Sequence, residues 1–267
     1  MKKLKVVICF VLVALMLGSL TVCFAATQDK PYAYVNIYDG KKLVLGMYPV
    51  EKSDEDGDGN WTINDALLSA HKTKCKDGYA SAASEWGTSI TKLWNDESGA
   101  FGYYLNNKMV MTDVKEKLSE TSHDVIYAYV YSDTTTWSDA YTFFDQTVFT
   151  GNAKDKVTLT LYYVKLDPVT YESSNEPLSD ATIYFDGRKT EFKTDANGKV
   201  EIELPAHSAN ITAEKEGMTI VPPVCRYNII EKTGTPALII AIVLAVVVAA
   251  AVICVIIFTN KKKKRIE

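Results

Sequence analysis

The apolar positions of this 267-residue chain change period several times between two oily ends. Near the start, Lys2, Lys3 and Lys5 precede an apolar run from Val6 to Leu20, and small residues follow at Ala25-Ala26. A basic start, a short apolar run and a small-residue exit predict a secretory signal over 1–25. An uncleaved anchor, or lipid attachment at Cys23, are the alternatives. Near the end, Ala237 to Phe258 is 22 residues without a charge. At about 1.5 Å rise per residue that length crosses a hydrocarbon core of about 30 Å, which predicts a transmembrane helix over 237–259. Lys261, Lys262, Lys263, Lys264 and Arg265 make 260–267 a basic tail, the pattern of a cytoplasmic edge. The two ends together predict a single-pass cell-membrane protein with its N-terminal region outside. Ile230-Glu231-Lys232-Thr233-Gly234 keeps the Thr-Gly of a cell-wall sorting signal without its Leu-Pro, so wall attachment stays the alternative.

Between these ends the period alternates between two and 3.6. Ala33–Tyr38 and Lys42–Val50 alternate as strands around the turn Asp39-Gly40. Ile63, Ala66, Leu67 and Ala70 are spaced as one face of a helix. Asp77–Gly87 is rich in Gly, Ser and Ala and reads as a loop. Strands are expected again at Gly102–Leu105, Lys108–Met111 and Val125–Tyr131. One helix among several strands predicts an α+β layer over 32–148. A second piece, 156–228, shows only strand patterns: Val157–Leu166, Ala181–Phe185, Thr190–Lys193, Val200–Leu204, Asn210–Glu214 and Thr219–Val221. Asp195-Ala196-Asn197-Gly198 supplies a hairpin turn between two of them. Short strands at this spacing predict an Ig-like sandwich, and 229–236 reads as a linker.

Charge changes the picture of partners. Setting the two ends aside leaves 21 basic against 32 acidic residues, a net charge of −11. That balance speaks against nucleic acid as a partner. Of the five cysteines, only Cys75 and Cys225 lie between the ends, as a disulfide pair or as two thiols. No GxSxG or HExxH motif occurs, so catalysis is not expected.

The sharpest local pattern runs from Asp54 to Asp65. Asp54, Asp56 and Asp58 stand at positions 1, 3 and 5 of a calcium loop, where side-chain oxygens converge on a hard cation. Gly59 at position 6 allows the sharp turn, Asn60 offers a carbonyl, Thr62 fills position 9 and Asp65 closes position 12. The loop resembles those of EF-hands and dockerin repeats, which implies Ca2+ as the cofactor. The alternative is an acidic, glycine-rich turn that caps the helix behind it.

Thr62-Ile63-Asn64-Asp65-Ala66-Leu67-Leu68, Gly102-Tyr103-Tyr104-Leu105-Asn106-Asn107 and Val125-Ile126-Tyr127-Ala128-Tyr129-Val130 follow the order of the transcobalamin C-terminal-like domain found in bacterial surface proteins. The resemblance implies a β-grasp-like fold. Glu176-Pro177-Leu178-Ser179-Asp180-Ala181-Thr182-Ile183 and Thr194-Asp195-Ala196-Asn197-Gly198-Lys199 resemble the carboxypeptidase-regulatory-like and collagen-adhesin B-type modules. Some adhesin modules join a Lys to an Asn beside an acid, and Lys165, Asn228 and Glu203 occupy comparable places. The expected fold class is therefore an α+β (β-grasp-like) domain plus an all-β Ig-like sandwich, with one C-terminal transmembrane helix. Trp94, Tyr103, Tyr104, Trp137 and Tyr141 are candidate aromatic contacts for an extracellular ligand, a protein or a glycan. The function expected is a membrane-anchored extracellular binding protein. Its alternatives are an adhesive surface protein engaging glycan or wall polymer, and a corrinoid-binding surface protein.

Overall fold

The computed structural model describes residues 31–230 apart from 111–112, 168–169 and 171. The signal segment 1–25, the span 237–259, the tail 260–267 and most of the linker 229–236 lie outside the described residues. The chain divides into two compact units between Thr134 and Thr135.

The first unit is a mixed sheet with one helix. β1 (Tyr32–Tyr38) and β2 (Leu43–Glu51) form an antiparallel hairpin. Asp39 shapes its turn, Oδ1 accepting the Lys41 and Lys42 N–H groups at 2.9 and 2.8 Å. α1 (Ile63–Lys74) follows, then β3 (Tyr79–Ser84) and β4 (Gly87–Leu93), which pair with each other as a separate two-stranded sheet. β5 (Phe101–Leu105) and β6 (Lys108–Met109) make a second hairpin on the main sheet. β7 (Val125–Val130) then enters its middle, parallel to β1 and antiparallel to β5, giving the order β2-β1-β7-β5-β6. A continuous apolar run suits that central place, because such a strand is covered on both faces.

Alternation sets the core. Ala33, Val35 and Ile37 from β1 and Ile126, Ala128 and Val130 from β7 cluster with Ile63, Ala66, Leu67 and Ala70 of α1. The helical face expected from spacing is the buried one, at 0% exposure for all four positions. Each Leu or Ile buried in this way contributes roughly 1.5–3 kcal/mol. Asn36 is a polar residue inside this sheet. Its Nδ2 donates to the Ile126 carbonyl at 3.3 Å and its Oδ1 accepts the Met47 N–H at 2.7 Å, where the β1–β2 register shifts.

The second unit is a two-sheet sandwich. β8 (Ala140–Phe144), β10 (Lys156–Leu166), β11 (Ser173–Pro177), β14 (Lys199–Glu203) and β16 (Ile220–Val221) form one sheet, in which the long β10 pairs with β8, β11 and β14. β9 (Val148–Gly151), β12 (Thr182–Phe185), β13 (Arg188–Lys193), β15 (Ala209–Glu214) and β17 (Cys225–Ile229) form the other, in the order β13-β12-β15-β17-β9. Leu159, Leu161 and Ile202 from the first sheet meet Ile183, Ile211 and Cys225 from the second in one core. At the expected turn, Asp195 Oδ1 accepts the Asn197 and Lys199 N–H groups, both at 2.8 Å.

The structure corrects several expectations. The sandwich fits, but the fold class as a whole does not: the described residues are strand-dominated, and their single helix is 12 residues long. No helix among them is long and apolar enough to cross a membrane, which takes about 20 residues. The single-pass cell-membrane localisation finds no spanning helix among the described residues, and the span expected at 237–259 lies outside them. The boundary near 148 also moves, because β8 and β9 pair with second-unit strands, β8 with β10 and β16 and β9 with β17. Asp77–Gly87 is not a loop: six of its residues form β3.

Candidate metal centre

Local chemistry at the entry to α1 builds the site. Thr62 is the N-cap, its backbone extended, and it forms a capping box with Asp65. Asp65 Oδ2 accepts the Thr62 N–H at 2.9 Å and the Thr62 hydroxyl at 2.5 Å. Oδ1 reaches back along the loop to the Glu55 N–H at 2.8 Å and the Asp56 N–H at 3.3 Å. Asp65 is wholly buried, so this one carboxylate ties the acidic loop to the helix start.

The loop curls around Asp54. Its Oδ1 accepts the Gly57 and Asp58 N–H groups at 2.8 and 3.1 Å, and its Oδ2 accepts the Gly59 N–H at 2.8 Å. Gly59 has φ +83°, a conformation that side chains disfavour, so glycine at this position permits the turn. The curl brings Asp54, Asp56 and Asp58 together on the surface, with one carboxylate oxygen from each within 4.8 Å of the others. Such a triad can hold a metal ion.

A separate stretch of chain borders the site. Residues 113–118 run past the start of α1, where the first N–H groups of any helix lack intrahelical acceptors. Ile63 N–H donates to the Glu116 carbonyl at 3.1 Å and Asn64 N–H to the Val114 carbonyl at 2.8 Å. Leu118 N–H returns a bond to the Trp61 carbonyl at 2.9 Å. From this stretch Lys115 Nζ donates to Asp56 Oδ2 at 2.5 Å and to Asp58 Oδ2 at 2.7 Å. The two carboxylates hold the Lys115 ammonium well above its ordinary pKa. Asp58 is lowered, first by Lys115 and then by the Asn60 N–H groups. Beside them Asn64 Nδ2 donates to Asp56 Oδ2 at 2.6 Å, and Asn64 Oδ1 accepts the Tyr79 hydroxyl at 2.9 Å. Glu55 pairs with Lys72 of α1, which lowers its carboxyl pKa.

Of the six residues expected to hold a cation, the structure gathers Asp54, Asp56 and Asp58. Asn60 turns its amide back onto Asp58 Oδ1 at 3.0 Å, and Thr62 and Asp65 are engaged in the helix cap. Lys115, which the sequence reading passed over, lies 57 residues beyond Asp58, and no local pattern marks it.

The remaining candidates disperse. Tyr104 and Tyr141 are buried, while Trp94 and Tyr103 pack half-buried against the first core. Trp137 is exposed, and Trp86, at the β3–β4 tip, is more so at 83%. Cys75 and Cys225 are both thiols, not a disulfide. Cys225 is completely buried in the sandwich core, and burial pushes its pKa up. Lys165 and Glu203 are exposed; Lys165 pairs with Ser174 on β11, whereas Asn228 sits on β17 in the other sheet, so Glu203 supplies no buried acid between them.

No protein-family model matches the chain, and no curated protein matches it.

Proposed function

We propose that the chain is a non-catalytic binding protein whose first unit is braced by a calcium ion at Asp54, Asp56 and Asp58 and whose second unit is a β-sandwich carrier. The observation that carries this reading is the convergence of three carboxylates at the start of the helix. Support also comes from the chemistry of the donors, all of them oxygen, which suits a hard cation better than zinc or copper. Asp56 and Asp58 also share one cationic partner, the Lys115 ammonium, so these two of the three carboxylates converge on positive charge. The resemblance to the transcobalamin C-terminal-like domain favours ligand or partner binding over catalysis.

Calcium here fixes the curled loop against the cap of α1. With Thr62 and Asp65 engaged elsewhere, the affinity belongs near the weak end for such loops, about 10⁻⁴–10⁻³ M. Calorimetry of the full chain with calcium is expected to show a single binding event, together with a rise in melting temperature. Asp54→Ala is expected to abolish both. Absence of heat and of any melting shift at millimolar calcium rejects the reading.

A further inference from the structure

We propose that His71 is an acid-operated latch: protonation of its ring releases the Leu93–Asp96 turn from α1 and leaves the rest of the first unit folded. The latch stands apart from the calcium reading and uses none of its residues.

Three elements meet at this ring. His71, late in α1, is 2% exposed and packs against Tyr79 of β3 and against Trp94, with ring centroids 5.1 and 5.4 Å away. Its Nε2 accepts the Trp94 N–H at 3.4 Å, and its Nδ1 faces the Leu67 carbonyl at 2.7 Å. A neutral imidazole with its proton on Nδ1 satisfies both neighbours. A protonated one carries N–H on both nitrogens, so at Nε2 a donor then confronts a donor.

The turn that His71 holds is poised to open. Leu93 and Asp96 close it with two backbone bonds, at 3.0 and 2.9 Å. Between them Trp94 and Asn95 have φ +50° and +70°. Asn tolerates that left-handed region, whereas a bulky Trp is an outlier there, so strain is stored at Trp94. Apart from His71, the Asn95 N–H ties the turn to the Gly78 carbonyl at 3.0 Å, and Asn95 Nδ2 ties it to Cys75 Sγ at 3.1 Å.

No charge on the packed elements offsets a protonated ring. The Tyr79 hydroxyl donates to Asn64, and the Cys75 thiol accepts from Asn95. Lys92 of β4 pairs with Glu97, and Asp96 accepts the Ser98 N–H. On α1 itself Lys72 pairs with Glu55 and Lys74 lies over the Tyr48 ring. Burial therefore holds the His71 pKa below its ordinary 6.5. Opening returns the ring to water and to that ordinary value, so a falling pH favours the open turn. At pH 5 the gain is at most about thirtyfold, because the ordinary value lies about 1.5 above that pH.

Hydrogen exchange of the full chain tests this, read by peptide mass at pH 7 and pH 5 and corrected for the intrinsic rate. Residues 93–96 are expected to lose about tenfold of their protection at pH 5, and to exchange there at least about tenfold faster than β7. His71→Gln and His71→Phe, the second keeping a ring against Tyr79 and Trp94, are expected to show protection at 93–96 that pH does not change. Exchange at 93–96 no faster than in β7 at pH 5 means that the whole unit unfolds, and overturns the latch. Equal protection at both pH values in the natural chain overturns it too, as does a folded His71 variant that keeps the natural pH dependence.

Discussion

Trp61 shows how one residue can serve fold and site at once. It stands between Asn60 and Thr62, is 4% exposed, and belongs to the first core. Its indole N–H is buried without an acceptor. An orphan donor costs about 1–3 kcal/mol, so Trp61→Phe removes that penalty as it removes some packing. Trp61→Phe is expected to change stability by less than about 1.5 kcal/mol, and Trp61→Ala to lose about 3–5 kcal/mol, by chemical denaturation. His71 gives the second residue-scale prediction. Its Nε2 accepts the Trp94 N–H at 3.4 Å, so Nδ1 carries the proton and donates to the Leu67 carbonyl at 2.7 Å. Burial lowers its pKa below the ordinary 6.5. The unfolded chain then takes up the proton first, so stability is full above pH 6.5 and declines as the pH falls through the lowered folded value. Denaturation midpoints of the natural chain should drop between pH 7 and 5, and His71→Gln should flatten that slope.

At the scale of elements, the cap of α1 outweighs the propensity of its residues. Asp65→Ala strands the Glu55, Asp56 and Thr62 N–H groups and is expected to cost at least about 3 kcal/mol. Thr62→Ala, which leaves Asp65 in place, should cost about 1 kcal/mol. Both are read from denaturation, and a smaller loss for Asp65→Ala would deny its role as the tie. The pairing of β5 with β7 makes a steric prediction. A Cβ at Gly102 would lie 2.3 Å from Tyr129 Cζ, so Gly102→Ala is expected to lose about 1–3 kcal/mol. The apolar face of α1 and the Asp195–Gly198 turn were legible because their signals are local and periodic. β3 was not, since its Ala and Ser residues have neither alternation nor bulk and become a strand only through β4. Trp137 and Tyr141 were candidate ligand contacts by residue type alone, and the structure separates them: Trp137 is exposed, whereas Tyr141 lies on β8 and is buried. Local patterns placed the carboxylate triad correctly but could not reveal that Asp65 faces inward or that Lys115 arrives from afar.

At the scale of the molecule, two cores share no residue. Leu67 and Leu161, both fully buried, are representative of each. Leu67→Ala is expected to cost about 2–5 kcal/mol and to strip amide-exchange protection from α1, β1 and β7. Leu161→Ala should do the same for β10 and β14. Loss spread evenly over every strand in both variants would refute two separate cores. Between the chain's ends the net charge is −11, so cations are the favoured counter-charge for an acidic surface loop.

The placing of the four tryptophans gives the chain a built-in optical readout. Trp86 and Trp137 face water and should emit at long wavelength, where a soluble quencher reaches them. Trp61 is shielded and sits inside the acidic loop, so once the exposed pair is quenched the residual blue emission comes from the shielded indoles and can follow that loop without a dye.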